Sequence, residues 1–212
     1  MKWYRKAAEQ GYAKAQSNLG ICYAKGRGVA QDYTEALSWF LKAAEQDNAG
    51  AEFNLGFSYS HGRGVETNYI EAVKWYRKAA EHNYVKAEYN LGMLLLRGQG
   101  ATKNLVEAAQ WFHKGAEQGD AASQWTLGNM YLRGDGVPKD MTQAANWWRK
   151  AAEQGFAAAQ RHLGVACERG DGIPKSYVEA YKWFNLASSQ GFEEAKRNRD
   201  MLYQFQFEIA PF

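Results

Sequence analysis

Gly11-Tyr12-Ala13-Lys14-Ala15-Gln16-Ser17-Asn18-Leu19-Gly20, then Gly26-Arg27-Gly28-Val29, then Ala36…Trp39-Phe40-Leu41-Lys42-Ala43-Ala44-Glu45-Gln46 is the stretch that decides the fold, because the chain rewrites it every 36 residues. Trp3, Trp39, Trp75, Trp111, Trp147 and Trp183 keep that spacing without a slip. Leu-Gly pairs begin at Leu19, Leu55, Leu91, Leu127 and Leu163. Gly26 and Gly28 return as Gly62/Gly64, Gly98/Gly100, Gly134/Gly136 and Gly170/Gly172, and Ala36 as Ala72, Ala108, Ala144 and Ala180. A fixed period of this length marks stacked units, none of which can bury its apolar face alone. The division is residues 1–10, a partial helix B; then five full repeats at 11–46, 47–82, 83–118, 119–154 and 155–190; then 191–212, a capping helix and an apolar tail. All of it reads as one solenoid domain.

Each repeat reads as two helices. Helix A runs from Ala13 to Lys25 in the first full repeat, with Ala15, Leu19 and Tyr23 on one face of a 3.6-residue helix. Gly20 falls inside it, where glycine costs about 0.5–1 kcal/mol relative to alanine. Its return in every repeat predicts close approach of a neighbouring helix. Gly26 then ends helix A in the left-handed conformation of a C-terminal cap. Helix B follows from Tyr33 to Glu45, with Ala36, Trp39, Phe40 and Ala43 facing inward. The pattern predicts eleven paired helices with Trp39, Trp75, Trp111 and Trp147 buried between repeats, and a further helix A in the last unit.

The residues quoted above resemble the Sel-one-like repeat family, a relative of the tetratricopeptide repeat, over essentially residues 1–200. The resemblance implies an all-α fold: a right-handed superhelical solenoid of 36-residue helix-turn-helix repeats, helix A concave and helix B convex. It also implies a bacterial or cellular adaptor that binds proteins without catalysis. The chain opens at Trp3 inside a helix B with no helix A before it, which reads as a shortened chain or an atypical terminal repeat with an open end.

Composition narrows the function classes. Lys and Arg number 26 against 23 Asp and Glu, a net charge of +3, too weak a field to point to nucleic acid or anionic membrane. Cys22 and Cys167 are too few for a disulfide framework and read as buried thiols. Residues 1–20 carry no apolar run, so the chain as written reads as cytoplasmic, or as periplasmic or secreted if an upstream signal is removed. No stretch reaches the length of a membrane-spanning helix.

Catalytic signals are missing from the sequence. The family's cysteine-rich branch binds β-lactams, but no serine here has lysine three residues on, and that branch's cysteine pairs are absent. His61, His82, His113 and His162 lie at different phases of different repeats, so no metal cluster is expected. The Gly-x-Gly turns follow a helix rather than a strand, which makes them turns and not phosphate loops. No cofactor is called for.

Binding signals are stronger. Stepping 100° per residue from Leu19, positions 14, 17, 21 and 24 point away from the packed side. Position 17 reads Ser17, Phe53, Tyr89, Trp125 and Arg161; position 21 reads Ile21, Phe57, Met93, Asn129 and Val165; position 24 reads Ala24, Ser60, Leu96, Leu132 and Glu168. Inward positions hardly change between repeats, whereas these change freely, and the middle repeats are aromatic. Phe53, Phe57, Tyr89, Met93, Leu96, Trp125, Asn129, Leu132 and Arg161 are therefore the expected contacts for a protein or peptide partner, aromatic anchors being typical of recognition hot spots. Helix stacking that buries the stripe is the competing reading. A cationic column of Lys25, His61, Arg97, Arg133 and Arg169 ends each helix A. It has two readings: stabilisation of the negative helix end, about 0.3–1 kcal/mol each, or a carboxylate clamp of Lys25, Arg97, Arg133 and Arg169. Lys42 and Glu45, with their counterparts, read as solvated i, i+3 pairs.

The tail abandons the repeat. Tyr203, Phe205, Phe207 and Ile209 alternate with Gln204, Gln206, Glu208 and Ala210 ahead of Pro211-Phe212, a period that fits an extended segment. It is expected to dock, either as a cap in cis or in trans on a second molecule. Self-association through residues 203–212 or the open N-terminal end, without a groove ligand, is the alternative to a partner-binding scaffold.

Overall fold

The computed structural model describes residues 2–205. They form twelve helices. The fold class is all-α, with consecutive helices packed in pairs. Contacts gather into two compact units, residues 1–111 and 112–212. The first holds α1 (Lys2–Glu9), α2 (Ala13–Lys25), α3 (Tyr33–Ala44), α4 (Ala49–His61), α5 (Tyr69–Glu81) and α6 (Val85–Arg97). Helix α7 (Leu105–Glu117) includes the division. The second unit holds α8 (Ala121–Arg133), α9 (Met141–Glu153), α10 (Ala157–Arg169), α11 (Tyr177–Ser189) and α12 (Glu193–Tyr203).

Local chemistry sets the helix limits. The Asp32 carboxylate accepts the Thr34 and Glu35 backbone N–H groups at 2.9 and 3.0 Å, and Asn68 and Asp140 do the same for α5 and α9. Such a cap satisfies donors that a helix start leaves free and is worth about 1 kcal/mol. At the other end, Gly26 adopts φ +64 and returns its N–H to the carbonyls of the last turn of α2. The second glycine of the same turn has a different task. A Cβ on Gly64 would run into the Tyr33 carbonyl at the start of the previous helix B, and one on Gly172 into that of Met141.

The mid-helix glycine is explained by an aromatic ring. A Cβ at Gly20 would stand 2.6 Å from Phe40, and Gly56, Gly128 and Gly164 meet Tyr76, Trp148 and Phe184 in the same way. These rings are almost fully enclosed, as are Leu19, Leu55, Leu127 and Leu163 beside them. The tryptophan expectation is corrected here. Trp39, Trp75, Trp111 and Trp183 are half-buried, and only Trp147 of the set is buried. The next residue of helix B takes the enclosed place against glycine. The tryptophans lie at the edge, where Lys42, Lys78, Lys150 and Lys182 sit 4.3, 4.7, 3.9 and 5.0 Å from the ring centres of Trp39, Trp75, Trp147 and Trp183. Those lysines thus act as cation–π caps rather than only as partners of Glu45 and its counterparts.

A polar ladder joins α2, α8 and α10 to the helices around them. Gln46 donates to the Gln16 side-chain oxygen at 2.9 Å, and Gln16 donates in turn to the Ala8 carbonyl at 3.2 Å. Gln154, Gln124 and Ala116 repeat this chain of bonds, as do Gln190, Gln160 and Ala152. Gln16, Gln124 and Gln160 are buried, so each bond replaces water that the amide has lost.

Two further expectations change. Cys22 is half-buried, while Cys167 is buried and its thiol is pushed up by that burial. Tyr203 closes α12, and Gln204 and Phe205 continue it as a wider helical turn, so the extended segment does not begin at Tyr203. Phe207, Ile209, Pro211 and Phe212 lie outside the described residues.

Candidate functional site

The side of helix A turned away from Leu19 is built differently from the packed side. In the first unit it forms two clefts. One, of about 260 Å³, lies between α2 and α4 and is lined by Ile21, Phe53 and Phe57, with Lys25, Tyr33 and Arg63 around it. The other, of about 350 Å³, lies between α4 and α6 and is lined by Tyr76, Tyr89 and Met93, with His61, Tyr69 and Arg97 around it.

The aromatic side chains brace one another. Phe53 stands 6.5 Å from Phe57, 5.8 Å from Tyr76 and 5.0 Å from Tyr84. His61 stacks on Phe57 at 4.0 Å, and its Nδ1 lies 3.0 Å from the Phe57 carbonyl. The Arg63 guanidinium covers Phe57 at 4.9 Å and Tyr33 at 5.4 Å. Burial pushes the Tyr76 phenol up to about 12, so it stays a neutral hydroxyl, 3.2 Å from Ser60 Oγ. The chemistry offered is an apolar, aromatic floor with cations at its edge. Such a site suits apolar side chains flanked by carboxylates.

In the second unit the same face carries Trp125, Asn129 and Leu132 on α8 and Arg161 on α10, all half-buried. Trp125 packs on Phe156 at 5.7 Å and on His162 at 6.0 Å, while Trp148 reaches His162 from beneath at 5.1 Å. Burial is the main reason that His162 is held below the ordinary histidine value. Asn129 Oδ1 is buried without a hydrogen-bond partner among the described residues. Arg161 is tied to Glu194 at 3.2 Å, which anchors it to α12.

The predicted side chains are thus brought together in two sets. Phe53 and Phe57 share the first cleft of the first unit, Tyr89 and Met93 the second, and Leu96 is half-buried on α6. Lys25, Arg97, Arg133 and Arg169 are exposed on the last turns of α2, α6, α8 and α10. Sequence reasoning missed the contribution of helix B. Tyr33 and Tyr69 open α3 and α5 and line the clefts, and their recurrence at one phase was the available signal. It also missed a mixed cluster. His82 meets no other histidine, yet its Nδ1 lies 2.9 Å from Glu52, and Asp47 is close by. The hydrogen bond to Glu52, more than any other cause, holds His82 above the ordinary histidine value. Among the described residues, no helix is long and apolar enough to cross a membrane.

Comparison with known proteins agrees with this geometry. The Sel1 repeat matches residues 1–12, 13–48, 49–84, 85–120, 121–156 and 157–192. A protective antigen of uropathogenic Escherichia coli that displays the SLR fold is 38% identical, with a TM-score of 0.94 over 97% of this chain and 44% of its own. A Sel1 repeat protein from Oxalobacter formigenes is 39% identical, with a TM-score of 0.83 over 95% of this chain and 80% of its own. The chain therefore spans less than half the length of the first and most of the second. No curated protein matches the sequence.

Proposed function

The chain belongs to the Sel1 repeat family, and from that premise we propose that it is a non-catalytic scaffold which holds a peptide segment of a protein partner on the outward faces of its A helices. Sel1 repeat solenoids are typically protein-interaction scaffolds and generally non-catalytic. The observation that carries the reading is the pair of clefts in the first unit. Much of their lining, Ile21, Phe53, Phe57, Tyr89 and Met93, comes from positions that differ from repeat to repeat, beside a packed face that hardly differs. Freely varying residues around a constant scaffold are where specificity is expected. Aromatic anchors need little ordering on binding, since each has only two side-chain torsions. Arg63, Lys25 and Arg97 supply the cations that would steer acidic residues of the bound segment.

The test is selection of random displayed peptides on the purified chain. The expected binders combine one or two large apolar residues with acidic neighbours. They should lose roughly tenfold or more in affinity to Phe57→Ala and Arg63→Glu. No enrichment, or binders indifferent to both substitutions, would overturn the reading.

A further inference from the structure

The glutamine ladder has a rewritten rung. In the second repeat Glu52 stands where Gln16, Gln124 and Gln160 stand elsewhere, and His82 where Gln46, Gln154 and Gln190 stand. Both partners of one hydrogen bond have changed together, each to a residue type that ligates metals.

The exchange leaves a deficit. Glu52 is fully buried, and its Oε2 is matched by His82 at 2.9 Å. Its Oε1 is buried with no hydrogen-bond partner among the described residues. In the rungs of Gln16, Gln124 and Gln160 the second side-chain atom is an amide nitrogen that donates to a backbone carbonyl. The third repeat shares a buried glutamate, Glu88, but carries Gln118 rather than histidine at the partner position. A carboxylate has no such proton to give, and a buried carboxylate left without enough positive charge is strongly disfavoured. The end of α3 lies just ahead in the chain, and the C-terminal end of a helix adds negative potential. Asp47 adds another carboxylate from the turn between α3 and α4. At this position Gly11, Gly119, Gly155 and Gly191 serve other repeats.

We propose that Asp47, Glu52 and His82 form a binding site for a divalent transition-metal ion of the zinc type. One ligand atom from each residue already lies within 4.8 Å of the other two. Bonds of about 2.0–2.2 Å at tetrahedral angles place two ligands of one ion about 3.3–3.6 Å apart. The widest-spaced groups must therefore close by at most about 1.5 Å, a reach open to the exposed side chains of Asp47 and His82. The unmatched Glu52 oxygen is the feature that surface carboxylates alone would not supply. A nitrogen ligand beside two carboxylates favours zinc-type ions over calcium and magnesium, which prefer oxygen. Three protein ligands leave a fourth position for water or a side chain of a bound partner. An ion held here would tie together the turn after α3, helix α4 and the end of α5.

Calorimetric titration of the metal-free chain with zinc chloride, in a buffer that does not chelate, tests this. The parent should bind one equivalent saturably, and excess calcium should not displace it. The double substitution Glu52→Gln with His82→Gln rewrites the rung as three other repeats have it and should leave the helical circular dichroism unchanged. It should lower zinc affinity by roughly tenfold or more. Asp47→Gly installs the residue that other repeats use and should weaken binding in the same direction. The proposal is overturned by a parent that shows no saturable binding or releases zinc to calcium. It is equally overturned by undiminished binding in the double variant or in Asp47→Gly.

Discussion

Helix α4 carries two faces one residue apart. Leu55 and Gly56 are fully buried, and the glycine exists to admit the Tyr76 ring. Phe53 and Phe57, on either side of them in sequence, are half-buried and line a cleft. Down the repeats the first pair is always Leu-Gly, whereas the second becomes Ser17 and Ile21, Tyr89 and Met93, Trp125 and Asn129, then Arg161 and Val165. The same helix thus separates what must be constant from what can vary. On the packed side the cause is steric: a ring against a glycine leaves no room for another atom. On the other side Ser17 is buried, but the larger side chains, Phe53, Phe57, Tyr89, Met93, Trp125 and Arg161, are covered only in part, which leaves their chemistry free to serve recognition.

The comparison breaks if the two faces respond alike to mutation. Tyr76→Ala, on the packed side, should cost about 3–5 kcal/mol through the cavity it leaves, read as a fall in the urea midpoint. Gly56→Ala tests the steric cause itself. Its added methyl would stand 2.6 Å from the Tyr76 ring, so it should cost about 1–3 kcal/mol although alanine is the better helix former. Asp140→Ala removes an N-cap, touches neither face, and should cost about 1 kcal/mol by the same assay. A larger loss there than at Gly56 would mean that helix ends, not ring packing, dominate the scaffold.

The smallest expected effect separates the outward face of the second unit from solvent. His162 is held below its usual value chiefly by burial, so the folded chain favours the neutral ring. Its contribution is fully present above the unfolded value of 6.5 and is lost as pH falls below it toward the lowered folded value. Thermal melts from about pH 7.5 to about pH 5.5 should fall less steeply for His162→Asn than for the parent. Equal slopes would show that the ring is more freely hydrated than its place beside Trp125 and Trp148 implies.

Much of this division was legible in the sequence, because every enclosed position recurs at one phase and the 3.6-residue period then assigns it a side. What was not legible turned on neighbours of equal character. Trp39 and Phe40 are both large and apolar, and only the structure shows that Phe40 meets Gly20 while Trp39 lies at the edge under Lys42. The cluster at His82 was hidden because histidines were compared with one another. The residue that matters lies 30 positions upstream and is a carboxylate. The aromatic cleft-lining residues of helix A were found by their variability, but Tyr33 and Tyr69 were not, since they recur like scaffold and yet line the clefts.

The central claim is that the outward face binds while the packed face only supports. Arg63→Glu tests it most directly, because Arg63 is exposed and lies over Phe57 without entering the core. On one sample, the melting temperature and the affinity for a selected acidic, aromatic peptide should be measured together. The account predicts an unchanged melting temperature with affinity reduced roughly tenfold or more, as expected for loss of a rim cation and its replacement by a like charge. Unchanged affinity for that peptide would contradict it.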